Sequence, residues 1–254
     1  MTNQPSLPLP AQESIPRRLC LAADVEKYSL LDTLGQETVQ SDLVRLLEEA
    51  AERSGLDRTT WERQPQGDQE FAVLPLDTPE SVVLGDFVRH LSQRLGVRNA
   101  NRDTAERMRL RLAVDTGVAR TAALGYAGPA PVALARYLNA AQLKRVLEGI
   151  DSTDLALIVS DRLYQDVVRL RGQGLDPRTF DKVHVKQKEF TGYGWIHVPE
   201  HGPEELAELV ADPEPKPGEG TRTGPTHVVE RNEGVVHYGS GDATTGTINK
   251  NYYR

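Results

Sequence analysis

The chain has 254 residues, 38% of them hydrophobic, with 37 acidic against 30 basic side chains and a net charge of -7. That acidic balance offers no basic footprint for nucleic acid, and no apolar run approaches the ~20 residues that cross a bilayer, so neither a nucleic-acid partner nor a membrane is expected. A single cysteine, Cys20, excludes an internal disulfide framework and a cysteine-rich zinc site.

Residues 1–16 contain Pro5, Pro8, Pro10 and Pro16 and read as a disordered arm, because proline fixes φ and removes a backbone donor. They lack a basic start and an apolar stretch, so no signal peptide is expected and a cytoplasmic protein is. The folded domain is expected over 17–200. An apolar run at 18–23 predicts a buried strand that ends at Asp24, and Val39, Leu43, Leu46, Leu47 and Ala50 at helical spacing predict an amphipathic helix over 36–54. Residues 59–63 and 70–74 flank Gly67-Asp68 and predict a hairpin in spite of Pro65, with Asp68 at its tip. A helix follows at 79–95, with Pro79 in its first turn, where a missing amide donor costs nothing.

Met108, Leu110, Leu112 and Val114 alternate with arginines and predict a strand over 108–114, with 116–123 returning beside it. The stripe Val132, Ala135, Leu138, Ala141, Leu143 and Val146 predicts one helix over 131–150. A strand at 155–159, a helix at 161–171 opened by a Ser160-Asp161 cap, a hairpin at 183–198 and a short helix within 201–211 complete the domain. This order fits an α+β, ferredoxin-like split βαβ core: an antiparallel-rich sheet with helices on one face. Residues 212–225 shift to Pro, Glu, Gly, Lys and Thr and read as a linker. Residues 226–254, rich in Gly, Thr and Asn, carry short β-forming runs suited to strand addition on a protein partner; a tail without a defined role is the other reading.

Asp24 and Asp68 are both presented at strand ends. Two carboxylates so placed can share hard divalent cations, and paired cations clamp the attacking and leaving oxygens of a phosphoryl transfer. Each position also suits an ordinary solvated or turn-forming aspartate.

Four segments carry a family resemblance: Ala22-Ala23-Asp24-Val25-Glu26-Lys27-Tyr28-Ser29, Gly67-Asp68 in its hairpin, Val114-Asp115-Thr116-Gly117, and Gly128 through Arg136 at a helix start. In order and spacing over about 17–199 they resemble the catalytic domain of class III nucleotidyl (adenylate/guanylate) cyclases, as a divergent bacterial member. The resemblance implies conversion of a nucleoside triphosphate to a cyclic 3′,5′-monophosphate and pyrophosphate in signalling. It implies two divalent ions, Mg or Mn, on Asp24 and Asp68, and a head-to-tail homodimer in which Arg136 acts from the partner subunit. It further places Lys186 or Lys188 against phosphate and Tyr28, Ser29 and Gln64 among the substrate-binding residues.

The base-recognising half departs from that pattern. Gln64 stands where adenylate-type members carry Lys and guanylate-type members Glu, Gly125 where a second base selector belongs, and Val132 where an asparagine belongs, and valine cannot donate a hydrogen bond. The base is therefore left open, pyrimidines included. A catalytically silent nucleotide-sensing or scaffold module that recruits partners through its tail is the alternative, and an unrelated ferredoxin-like regulatory domain a third reading. Arg136 also suits a surface or ion-pair role, and Lys186 and Lys188 a solvated strand edge.

Overall fold

The computed structural model describes residues 16–211, and the expected arm up to residue 15, the linker and the tail lie outside them. Among the described residues nine strands form: β1 Arg17–Val25, β2 Glu62–Gln66, β3 Gln69–Val73, β4 Leu110–Val118, β5 Arg120–Ala122, β6 Gly125–Ala127, β7 Leu155–Ser160, β8 Asp181–Gln187 and β9 Phe190–His197. Seven of them make one sheet in the order β2-β3-β1-β4-β7-β9-β8, and β5 and β6 make a separate hairpin. All neighbours in the large sheet are antiparallel except β4 and β7, which pair in parallel. A parallel pair needs a crossover, and two helices, α4 (Pro129–Leu138) and α5 (Ala141–Gly149), supply it.

The class is the expected α+β, mostly antiparallel architecture, but the helices cover both faces of the sheet instead of one. Alternate residues point to opposite faces of a strand. Leu19, Leu21, Ala23 and Val25 of β1, with Leu110, Leu112 and Val114 of β4, join one core that is closed by α1 (Thr33–Arg53) and α3 (Val88–Asn99). Cys20, Ala22, Ala113, Ala156 and Ile158 join a second core under α4, α5 and α7 (Pro203–Val210). Since both faces of the central strands are apolar, each needs its own cover.

Three further expectations change. The helix over 131–150 is broken into α4 and α5: Asn139 ends the first half with its amide on the Ala135 carbonyl oxygen, 3.1 Å away, and Ala140 is extended at φ -58°, ψ 133°. Both halves pack on the same sheet face, through Ala130, Leu134, Tyr137 and Leu138 of α4 and Leu143, Val146 and Leu147 of α5, whereas Val132, Ala135 and Ala141 of the expected stripe are exposed. Residues 116–123 do not return beside 108–114, since both edges of β4 are taken by β1 and β7. The helices expected at 79–95 and 161–171 each contain a π-helical turn, Val83–Phe87 after α2 (Glu80–Val82) and Tyr164–Val168 after α6 (Asp161–Leu163).

The hairpin between β2 and β3 closes as expected on Gly67-Asp68, with Gly67 at φ 69°, a value glycine reaches without steric cost. Pro65 is tolerated because β2 is an edge strand that, among the described residues, pairs with β3 alone. No helix among the described residues is long and apolar enough to cross a membrane.

Candidate functional site

The antiparallel registers bring Asp24 and Asp68 to one end of the sheet. Asp24 lies between its partners Gln69 on β3 and Arg111 on β4, and the amide of the next residue, Val25, donates to the main-chain oxygen of Asp68 at 3.0 Å. Asp24 is buried, on the face that carries α4 and α5, and the Arg111 guanidinium donates to its Oδ2. Burial pushes the Asp24 carboxyl above its usual range; Arg111 pulls it back, and the like charge of Asp68 pushes it up again. A cation between the two carboxylates would relieve both unfavourable contributions.

Among the described residues no group of three or more His, Cys, Asp and Glu side chains is arranged to hold a metal, so an ion at this strand end would have Asp24 and Asp68 as its carboxylate ligands. Two carboxylate oxygens suit a hard divalent cation that takes its other ligands from phosphate and water, the usual habit of Mg²⁺. The residues present therefore fit such an ion with triphosphate bound. Next to Arg111 is a shallow depression of about 170 Å³ formed with Glu26, Lys27, Lys144 and Glu148. Lys144 is oriented by Asn139, whose side-chain oxygen accepts at 3.1 Å. Arg109, two residues from Arg111, is buried against the last carbonyls of α5, with Ile150 O at 3.0 Å, and pairs with Glu26 at 3.4 Å. That contact ties the helix to the strand end carrying the site.

On the same sheet face, beside Asp24, three glutamines line one depression. Gln69 donates to Gln66 at 3.0 Å, and Gln64 reaches the Leu124 carbonyl at 3.4 Å. With Phe71, Tyr126 and α4 they enclose about 240 Å³. Gly125 packs so closely here that a Cβ on it would lie 2.2 Å from Gln64 Oε1, so the fold joins the two positions singled out as base-selecting. The ring of Tyr126 lies 5.3 Å from that of Phe71, and its hydroxyl donates to Glu62 at 2.8 Å; burial and that carboxylate push the phenol up to about 12.

The remaining candidates are dispersed. Arg136 is partly buried in the last turn of α4, its Nε enclosed without a hydrogen-bond partner, and it makes no ion pair among the described residues. Val132, one turn earlier, is 52% exposed. Lys186 is exposed on β8, and Lys188 sits in the β8–β9 turn at φ 51°. The strand β8 is four places from β1, about 19 Å at the usual strand spacing, which puts both lysines out of reach of Asp24 in the same chain. Tyr28 turns to the other face: its ring packs on the first core and its hydroxyl accepts from Gln40 at 2.5 Å, while Ser29 is exposed. Sequence reasoning passed over Arg111, Lys144, Gln66 and Gln69. Of these, only Arg111 carried a signal, as a polar position in an alternating strand.

No protein-family model matches the chain, and no curated protein sequence matches it. Solved structures do. An adenylate/guanylate cyclase/hydrolase from Silicibacter pomeroyi superposes with a TM-score of 0.50 at 20% identity, covering 73% of this chain and 99% of that one. A guanylate cyclase domain from Catenaria anguillulae in complex with GTP gives 0.47 at 13% identity over 72% and 96%. A guanylyl cyclase domain from Blastocladiella emersonii gives 0.46 at 12% over 71% and 94%. The chain has the class III cyclase fold.

Proposed function

We propose that this chain is a class III cyclase-type subunit that converts a nucleoside triphosphate to a cyclic 3′,5′-monophosphate and pyrophosphate, with Mg or Mn ions at Asp24 and Asp68 and a second copy completing each site. The observation that carries it is the meeting of the two aspartates at one strand end through the Val25–Asp68 hydrogen bond. In the reaction the ribose 3′-oxygen bonds to the α-phosphorus, the bond to the β-phosphate oxygen breaks, the hydroxyl proton passes to solvent and pyrophosphate leaves.

Bound divalent ions would supply hydroxyl activation and charge neutralisation. The chain's residues would do the rest. Asp24 and Asp68 hold the ions, and Arg111 and Lys144 take up triphosphate charge when Arg111 leaves Asp24. Gln64 orients the base with an amide that both donates and accepts, so it fits neither a purely donating nor a purely accepting base edge. Arg136, with its unpartnered Nε, would stabilise charge on the departing phosphates. The distance of Lys186 and Lys188 from Asp24 favours a dimer, because these lysines can serve only the site of another chain. Val132 offers no donor, which lowers the rate and favours a silent nucleotide-binding module as the second reading.

The test is incubation of the full chain with Mn²⁺ and each of the four nucleoside triphosphates, with mass spectrometry for cyclic monophosphate and Asp24→Ala alongside. Product from the wild type and none from the variant supports the cyclase. Metal-dependent triphosphate binding without product supports the silent module. Neither product nor binding overturns both.

A further inference from the structure

We propose that the cavity between α3 and the segment 172–180 is a binding site for a small planar aromatic molecule, neutral or cationic, that carries a hydrogen-bond donor. At about 410 Å³ it exceeds both depressions at the candidate cyclase site and falls within the range of small-ligand pockets. It opens on the opposite face of the sheet from Asp24, at the end of β9, and owes nothing to the cyclase reading.

The floor is a pair of stacked rings, Phe180 and His197, with centroids 4.7 Å apart and planes at 20°, and Leu84, Val88 and Leu175 supply apolar walls. A flat ligand extends such a stack with little loss of conformational freedom. His197 Nδ1 lies 3.0 Å from the Thr179 carbonyl oxygen. A carbonyl only accepts, so Nδ1 carries the hydrogen, and the neutral ring keeps Nε2 as an acceptor with no partner among the described residues. Burial holds the ring neutral by lowering its pKa, only partly offset by the bond to Thr179. The floor therefore asks for a donor.

The rim sets the charge. Asp86, Asp176 and Glu200 face a single lining cation, Arg89. Arg89 is paired with Asp86 at 2.6 Å and Asp176 with Arg178 at 2.7 Å, which leaves Glu200 without an ion pair among the described residues. Such a rim rejects anions, triphosphates among them. The backbone points the same way: Gln173 at φ 51° and Glu200 at φ 69° are left-handed without being glycine, and the π-helical turn Val83–Phe87 forms one wall. Strained residues and π-turns concentrate at ligand sites.

The test uses benzamidine, a planar cation with N–H donors, and benzoate, its anionic counterpart, on the full chain, read by saturation-transfer NMR and by the ¹⁵N shift of His197 Nε2. Benzamidine is expected to bind and move the Nε2 signal, with benzoate at least tenfold weaker. Ser92→Trp, which fills the cavity, should weaken benzamidine at least tenfold with an unchanged thermal midpoint. Should that variant misfold, the exposed Glu200→Gln should still weaken it about threefold. No binding of benzamidine at millimolar concentration, equal binding of benzoate, or binding unchanged in both variants overturns the proposal.

Discussion

Two arginine–carboxylate pairs sit on adjacent strands, β3 and β1, on opposite faces of the sheet, and they differ in how completely the carboxylate is used. Glu70 on β3 receives the Arg58 guanidinium on both oxygens, each at 2.5 Å, with side chains only 6% and 4% exposed. Asp24 on β1 receives Arg111 through Oδ2 alone, beside the like charge of Asp68. The first pair is closed: separating it strands a charge in the core. The second leaves an oxygen unspent and a repulsion unrelieved, and under the proposed function a bound cation would take the place of its arginine. Two largely buried pairs in the same protein thus differ in geometry, one satisfied on both carboxylate oxygens and the other on one.

The sharpest break between the two pairs lies in activity. Asp24→Asn or Asp68→Asn should lower cyclic-nucleotide formation by ~10²–10³-fold or more, the scale of losing a positioned charge in a phosphoryl-transfer site. The thermal midpoint should move by no more than a few degrees; a collapse of folding in circular dichroism would mean that Asp24 is structural after all. Arg58→Met should do the reverse. By leaving Glu70 buried and uncompensated it should cost ~3–5 kcal/mol in urea unfolding, and adding Glu70→Leu should recover most of that. An equal cost for Arg111→Met would erase the distinction.

Smaller effects sharpen it. Gly125→Ala sets a methyl against Gln64 at a φ of 116° and should cost ~1–3 kcal/mol from backbone strain. Its triphosphate preference in the four-nucleotide assay should shift while metal dependence stays. Asp115 is a third kind of buried carboxylate, with no arginine ion pair among the described residues: burial raises its pKa, and the Ser160 hydroxyl, the Thr116 amide and the more distant Arg162 and Arg17 oppose the rise. An acid raised in the folded state lends stability that is complete below 3.8 and is lost as pH climbs through the raised value. Asp115→Asn keeps the acceptor without the charge, so its advantage over wild type in urea midpoint should grow as pH rises from 3.8 through the raised value. A gap that shrinks as pH rises would contradict this.

Much of the frame was legible because periodicity is a local property. The period-two run in 108–114 put Met108, Leu110, Leu112 and Val114 on one face, where they are found, and the helix expected at 36–54 lies at Thr33–Arg53 with the same five apolar residues buried. Gly67-Asp68 closes the hairpin it announced. The break at Asn139 was hidden because helical spacing persists through it. The covering of both faces was missed because the alternation in 108–114 announces one apolar face, whereas Cys20, Ala22 and Ala113, small as they are, each lie under a helix.

The same division runs through the candidate site. Asp24 and Asp68 could be named from strand ends and turns, which are written in neighbouring residues, and Gln64 and Gly125 from the family resemblance. That Arg111 pairs with Asp24, 87 positions away, and that Gly125 presses on Gln64 followed only from the folded chain. The composition and alternation of residues determined an acidic α+β domain with two strand-end carboxylates. Strand register and helix docking decided which charges they meet, because a side chain's partner across a sheet depends on a registry summed over the whole fold, which no local pattern carries.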